Sequence, residues 1–293
     1  MASPALVDHV SHRGTPSATG KRDEGSRMNT VTDTALNILN TAARFWFLVA
    51  VAGQWMFAYY IAVLYGGSAL RGDWAGWNKV MPHGLVAGDT IGNAAVAVHL
   101  FLAFVIVVAG PLQLVPQIRA RAPTFHHWNG RVYLLTAFVV SLAGLYMVWT
   151  RGTVGGTAQH IAISVNAILI MLCAAMTLRF AIARKIDIHR HWALRLFMVV
   201  GGVWFFRVGL MLWLVINKGP VGFDPKTFQG PFLTFLAFAQ YLLPLALLEI
   251  YLRTRDRGSA QMRVAVAAGL FVLTIAMGVG IFGATRGMWL PNL

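Results

Sequence analysis

Cysteine is all but missing from this chain. The single Cys173 sits inside an apolar stretch, which excludes an intrachain disulfide and any multi-cysteine metal centre. Charge is scarce as well, at 12% of residues, where an ordinary soluble domain carries roughly 25%. Acidic residues are the scarcest part of it, with Asp+Glu at 10 against Lys+Arg at 24. Within the long apolar segments the carboxylates come down to Glu249, so the acidic relay of a proton pump or cation-coupled transporter is missing. No Gly-x-Ser-x-Gly, His-Glu-x-x-His or P-loop pattern occurs, and the last apolar segment has no lysine for a retinal Schiff base; hydrolase, zinc protease and rhodopsin readings fall away. Nor is there any run of five basic residues. The net charge of +14 is spread singly and in pairs between apolar segments, as contact with anionic headgroups requires, so membrane lipids and not nucleic acid are the expected partners.

What is abundant is apolar surface. Hydrophobic residues make up 57% of the chain, glycines number 29 and mean hydropathy is +0.63, the profile of a bundle of membrane-spanning helices. Runs long enough to cross roughly 30 Å of hydrocarbon recur at about 44–69, 92–117, 127–150, 157–182, 191–217, 231–253 and 262–285. The expected fold is all-α: a seven-span membrane domain over residues 41–293, preceded by a disordered cytoplasmic tail over residues 1–40. Met28 reads as an alternative start. Cap and turn signals mark the boundaries, among them Asp89 and Thr90, Pro123, Gly155 and Gly156, and Gly230-Pro231.

Orientation follows from Lys and Arg. With the N-terminal side fall the basic residues of the tail, then Arg119, Arg121 and Arg131, then the group from Arg179 to Arg195, then Arg253, Arg255, Arg257 and Arg263. The other side holds only Arg71, Lys79, Arg151, Lys218, Lys226 and Arg286. The positive-inside rule therefore expects a cytoplasmic N-terminus and an outside C-terminus in a bacterial plasma membrane. Trp74, Trp77, Trp149, Trp213 and Trp289 then form an outer aromatic belt, and Trp46, Trp128 and Trp192 an inner one.

The chain also echoes itself. His127-Trp128-x-x-Arg131 opens the third span and His191-Trp192-x-x-Arg195 opens the fifth, while His99 in the second span has a counterpart in His160 in the fourth. Spans two to five thus read as a four-helix core built from a duplicated hairpin. On that reading His99 and His160 lie roughly 6–12 Å below the outer surface, at 1.5 Å per residue. His126 or His127 and His189 or His191 meet at the inner surface, in a second layer on the order of 25 Å away. Paired imidazoles in a helical bundle hold b-type haem from both axial sides, and two stacked haems carry electrons across a bilayer. The alternatives are interfacial histidines serving headgroups, and neutral histidines hydrogen-bonded to a neighbouring helix.

Arg207 is the costliest residue, a guanidinium near the middle of the fifth span with no carboxylate in any outer half-helix. A haem propionate or an anionic substrate suits it; snorkelling is the bland account. Arg131 and Arg195 stand in first helical turns, where the macrodipole disfavours cations, so propionates or lipid phosphates are their expected partners. Gln113, within Gly110-Pro111-Leu112-Gln113-Leu114-Val115-Pro116, either lines a site or bonds a proline-freed carbonyl.

These motifs are similar to those of a bacterial predicted-membrane-protein family of unknown function, DUF2306. Its membrane His is His99, and its Gly-Pro-Leu-Gln-x-x-Pro helix end is Gly110, Pro111, Gln113 and Pro116. Its His-x-Trp-x-Gly-Arg-x-Tyr start is His126, Trp128, Gly130, Arg131 and Tyr133, and its His-Arg-x-Trp-x-x-Arg is His189, Arg190, Trp192 and Arg195. Arg207 matches the arginine that follows. The resemblance covers about residues 45–217 and implies no established activity. It falls on His126 and His189 in preference to His127 and His191, and does not clearly include His160. In architecture the chain resembles, more weakly, the di-haem transmembrane cytochrome b families. Two functions are therefore expected in competition. One is transmembrane electron transfer through haem b held by His99, His160, His126 and His189, with Arg131, Arg195 and Arg207 at propionates and a redox protein or quinone as partner. The other is cofactor-free binding or transport of an anionic or amphiphilic small molecule through Gln113, Arg207 and His99.

Overall fold

The computed structural model describes the backbone of residues 18–81 and 83–293 and the side chains from Thr30 onward, Pro82 excepted. Among the described residues the regular structure is helical, apart from an isolated antiparallel bridge between Asp224 and Gln229. Ten α-helices follow in order: α1 (Ala18–Ile61), α2 (Gly67–Leu70), α3 (Thr90–Leu114), α4 (Pro116–Arg121), α5 (Pro123–Thr150), α6 (Gly156–Ile182), α7 (Ile186–Val200), α8 (Gly202–Asn217), α9 (Pro231–Arg257) and α10 (Ala260–Ala284). A π-helical turn, Ala62–Gly66, joins α1 to α2. Among the described residues six helices are long and apolar enough to span a membrane, and α7 with α8 makes a seventh when the bent pair is taken as one span.

Two sequence expectations change here. The tail expected up to residue 40 is helical from Ala18, and Ala35 and Leu39 are buried where α1 packs along α10; residues 1–17 of that tail lie outside the described residues. Across the same contact the Arg263 guanidinium donates to the Thr32 carbonyl at 3.3 Å. The fifth span, expected as one run over 191–217, bends by 53° between α7 and α8. Gly201 and Gly202 sit at the break, and paired small residues are a recognised cause of a sharp kink. Asn166 of α6 presses into that corner: a Cβ on Gly202 would lie 2.8 Å from its Nδ2.

The capping signals hold. Asp89 accepts the Gly92 N–H at 2.9 Å to cap α3, and Pro123 and Pro231 occupy first turns, where no intrahelical N–H is needed. The turn into α6 uses consecutive left-handed residues, Gly155 (φ 97) and Gly156 (φ 70), a path that costs a side-chain-bearing residue dearly.

The duplicated hairpin has a spatial counterpart. α3 packs on α5 as α6 packs on α7, and α5 meets α6 to join the halves. Each half carries the same local pair: Arg131 stands 4.9 Å over the Trp128 ring and Arg195 5.0 Å over the Trp192 ring. α1, α8, α9 and α10 close the bundle, with small residues at the tightest crossings; a Cβ on Gly53 would meet Trp204 at 2.7 Å. Two tryptophans expected in the outer belt are instead interior. Trp77 is buried and donates to the Tyr65 carbonyl at 3.0 Å, and Trp289 is buried against Phe57 and Tyr60.

Candidate functional site

Between α1, α3, α5, α6 and the broken α7–α8 span lies a cavity of about 560 Å³. It runs from the loop residues His83, Arg151 and Thr153 at one end of the bundle, here called the Arg151 end, down to Ile106, Tyr133 and Phe197. Along its walls apolar side chains dominate, and among the described residues no Asp or Glu contributes. A polar level interrupts them. Counted at 1.5 Å per residue from the Arg151 end of each helix, His99, Ser141, Asn166 and Arg207 all fall at about 14–15 Å, and so does Tyr60 when the span of α1 is followed through the π-turn and α2 to Leu70. Five helices thus bring their polar residues to one depth.

Each of these side chains has a distinct state. Arg207 makes no ion pair among the described residues; its guanidinium donates to the Val203 carbonyl of its own helix at 3.1 Å and lies 5.1 Å over the Phe57 ring. Tyr60 and Tyr65, edge to face at 6.2 Å, are within electrostatic reach of it. His99 places Nδ1 3.2 Å from the Val140 carbonyl oxygen. A carbonyl only accepts, so the proton is on Nδ1 and Nε2 carries a free lone pair. Five residues that line the cavity carry a buried side-chain atom with no hydrogen-bond partner among the described residues: Tyr133 Oη, Ser141 Oγ, Thr153 Oγ1, Asn166 Oδ1 and Trp204 Nε1. Each such orphan costs about 1–3 kcal/mol. Five around one cavity, beside an arginine without an ion-pair partner among the described residues, mark it as the candidate site.

Over the mouth, Arg151 is a clamp. Its guanidinium pairs with Asp89 at 2.7 Å, donates to Asn93 Oδ1 at 2.7 Å and holds the carbonyls of His83 and Gly84. The hydrogen bond from Arg151 keeps the Asp89 carboxyl below the usual carboxylate range, with the Gly92 N–H assisting.

The remaining sequence candidates separate from this cavity. His160 stands one turn before the wall residue Ile163 but does not line the cavity; its Nε2 accepts the Thr153 N–H at 3.0 Å and its ring stands edge-on to Trp149. It thereby braces the turn at the mouth. Gln113 lies toward the opposite end, donating to the His126 carbonyl at 3.2 Å and tying the end of α3 to the start of α5. His126 and His189 are electrostatic neighbours there. His126 Nδ1 is buried without a partner among the described residues, while His189 Nδ1 lies 3.0 Å from the Thr177 carbonyl. Arg195, expected at a propionate or lipid phosphate, is paired with Glu249 at 2.7 Å. Arg131 makes no ion pair among the described residues and stacks on exposed Trp128. No group of three His, Cys, Asp or Glu converges as a metal site among the described residues.

Sequence reasoning found Arg207 and His99 but not Ser141, Asn166, Tyr133 or Trp204 as cavity residues. Only Asn166 had a visible signal, an amide in the middle of an apolar run. No curated protein and no solved structure matches the chain. The family profile of the predicted membrane proteins DUF2306 matches residues 96–243, which takes in the cavity walls contributed by α3, α5, α6, α7 and α8. With just over half of its length matched in this way, the chain belongs to the DUF2306 family of predicted membrane proteins.

Proposed function

We propose that this multi-pass membrane protein binds or transports an anionic or amphiphilic small molecule, held in the cavity with its polar group at the level of Arg207 and His99. One observation carries the reading: an arginine without a carboxylate partner among the described residues lies on the wall of a cavity whose buried polar atoms also lack partners. An unpaired guanidinium in a membrane bundle is expensive unless an anion or water meets it. The apolar walls above and below that level suit a hydrocarbon portion. From the distribution of Lys and Arg, the Arg151 end faces outside and the His126 end faces the cytoplasm of a bacterial plasma membrane.

The haem b reading has one observation in its favour. His99 and His189 each fix Nδ1 against a backbone carbonyl, which leaves Nε2 unprotonated, as iron-ligating imidazoles are held. It has less support because His160 spends Nε2 on its own turn and Arg195 is taken by Glu249.

A single preparation separates the two. Protein purified from haem-sufficient cells is examined by visible spectroscopy, oxidised and dithionite-reduced, and by native mass spectrometry. The cavity reading expects a colourless protein carrying a releasable small molecule that Arg207→Gln loses. A Soret band that disappears in His99→Phe transfers the site to haem.

A further inference from the structure

The hydrogen-bonding complement of the cavity restricts the headgroup further, an argument that rests on the binding function above. Arg207 and the Trp204 indole N–H can only donate. They call for an oxygen that accepts, and the guanidinium for one that is negative. His99 Nε2 and Asn166 Oδ1 can only accept, the first because Nδ1 holds the proton against Val140. They call for a ligand that donates. Ser141, Tyr133 and Tyr60 hydroxyls adapt to either role. An aliphatic carboxylate satisfies the donors and leaves both acceptors empty, and so does a sulfate ester. A neutral alcohol can both donate and accept but brings no negative charge to the guanidinium.

We propose that the cavity recognises a singly protonated phosphomonoester, with P–O⁻ oxygens on Arg207 and its P–OH donated to His99 Nε2. The same headgroup chemistry could reach the site as a lipid phosphate or as free phosphate; the apolar walls on both sides of the polar level favour an attached chain. The charged and titratable groups lining the cavity are Arg207, Tyr60, Tyr65, Tyr133 and His99, with His83 and Arg151, the latter paired to Asp89, at the mouth. Among the described residues no carboxylate lines the cavity itself to repel the anion.

Dodecyl phosphate and dodecyl sulfate make a near-isosteric pair with one tail and, below the second phosphate ionisation near about pH 6, one negative charge each. Only the phosphate keeps a proton to donate. Native mass spectrometry of the full chain in neutral maltoside, with each added at equal concentration, should show about tenfold greater occupancy by the phosphate at pH 5.5, the worth of one hydrogen bond to an otherwise empty acceptor. That preference should shrink at pH 8 and in His99→Phe. The pH comparison uses wild-type protein alone, so it holds if that variant fails to fold.

Equal binding of the two esters at pH 5.5, with both lost in Arg207→Gln, overturns the protonated-phosphate assignment and leaves anion binding standing. No binding of either, or binding indifferent to Arg207, overturns both. Inorganic phosphate that displaces dodecyl phosphate at matched concentration identifies free phosphate as the source, and failure to do so identifies the lipid ester.

Discussion

His99 and Val140, on adjacent helices α3 and α5, share one hydrogen bond of 3.2 Å between the imidazole Nδ1 and the backbone carbonyl. The tautomer of a cavity-wall histidine is thereby set by main chain, which side-chain variation cannot easily alter. Nitrogen NMR of histidine-labelled protein near pH 7 should find the His99 proton on Nδ1 and a lone pair on Nε2. A majority Nε2–H tautomer would be incompatible with this bond.

Arg207 should be held for binding at the expense of stability. Removing an unpaired guanidinium from an apolar wall and leaving an alkyl chain relieves desolvation, so Arg207→Met is expected to raise the thermal midpoint of ligand-free protein, by the equivalent of about 1–3 kcal/mol. The same variant should lose ligand. A destabilised Arg207→Met in ligand-free protein would mean that the guanidinium is structurally satisfied after all.

The clamp of Arg151 on Asp89 gives stability an acid limit. The carboxyl is held below its unfolded-state range, so its contribution is complete above that range and is lost as pH falls through the lower, folded value. Asp89→Asn keeps the helix cap and removes the charge. Thermal midpoints of wild type and Asp89→Asn should differ at pH 6 and converge as pH drops from about 5 to about 3. A gap that stays constant across that interval would remove the ion pair from the account.

Helix crossings rely on particular glycines. A Cβ on Gly280 would run into the Val208 carbonyl oxygen of α8, whereas one on Gly269 would meet nothing within 4 Å. Gly280→Ala should therefore cost about 1–3 kcal/mol by forcing α8 and α10 apart. Gly269→Ala should be neutral or stabilising by up to about 1 kcal/mol. Detergent-solubilised thermal unfolding of the two variants side by side checks the contrast.

The spans were legible because apolar length alone specifies them, and the duplicated hairpin because His-Trp-x-x-Arg is written twice. Arg207 and His99 stood out since a charge or an imidazole in hydrocarbon is conspicuous at any spacing. The bend at Gly201–Gly202 was hidden: two glycines inside an apolar run are also compatible with a straight, closely packed helix. Trp77 and Trp289 looked interfacial by position, and only the aromatic cluster of α1 and the tight loop after α2 bury them. Ser141, Asn166 and Trp204 become site residues through the convergence of α5, α6 and α8 on one cavity, which one-dimensional spacing does not encode. The Arg195–Glu249 pair was missed for the same reason: its two members come from α7 and α9.

The most direct measurement is an electron cryo-microscopy map of the protein purified in native-lipid nanodiscs. The account predicts elongated density in the cavity, with its polar end between Arg207 and His99 and its remainder against the apolar wall. A cavity filled only by discrete water density, with Arg207 turned out of it, would contradict the account.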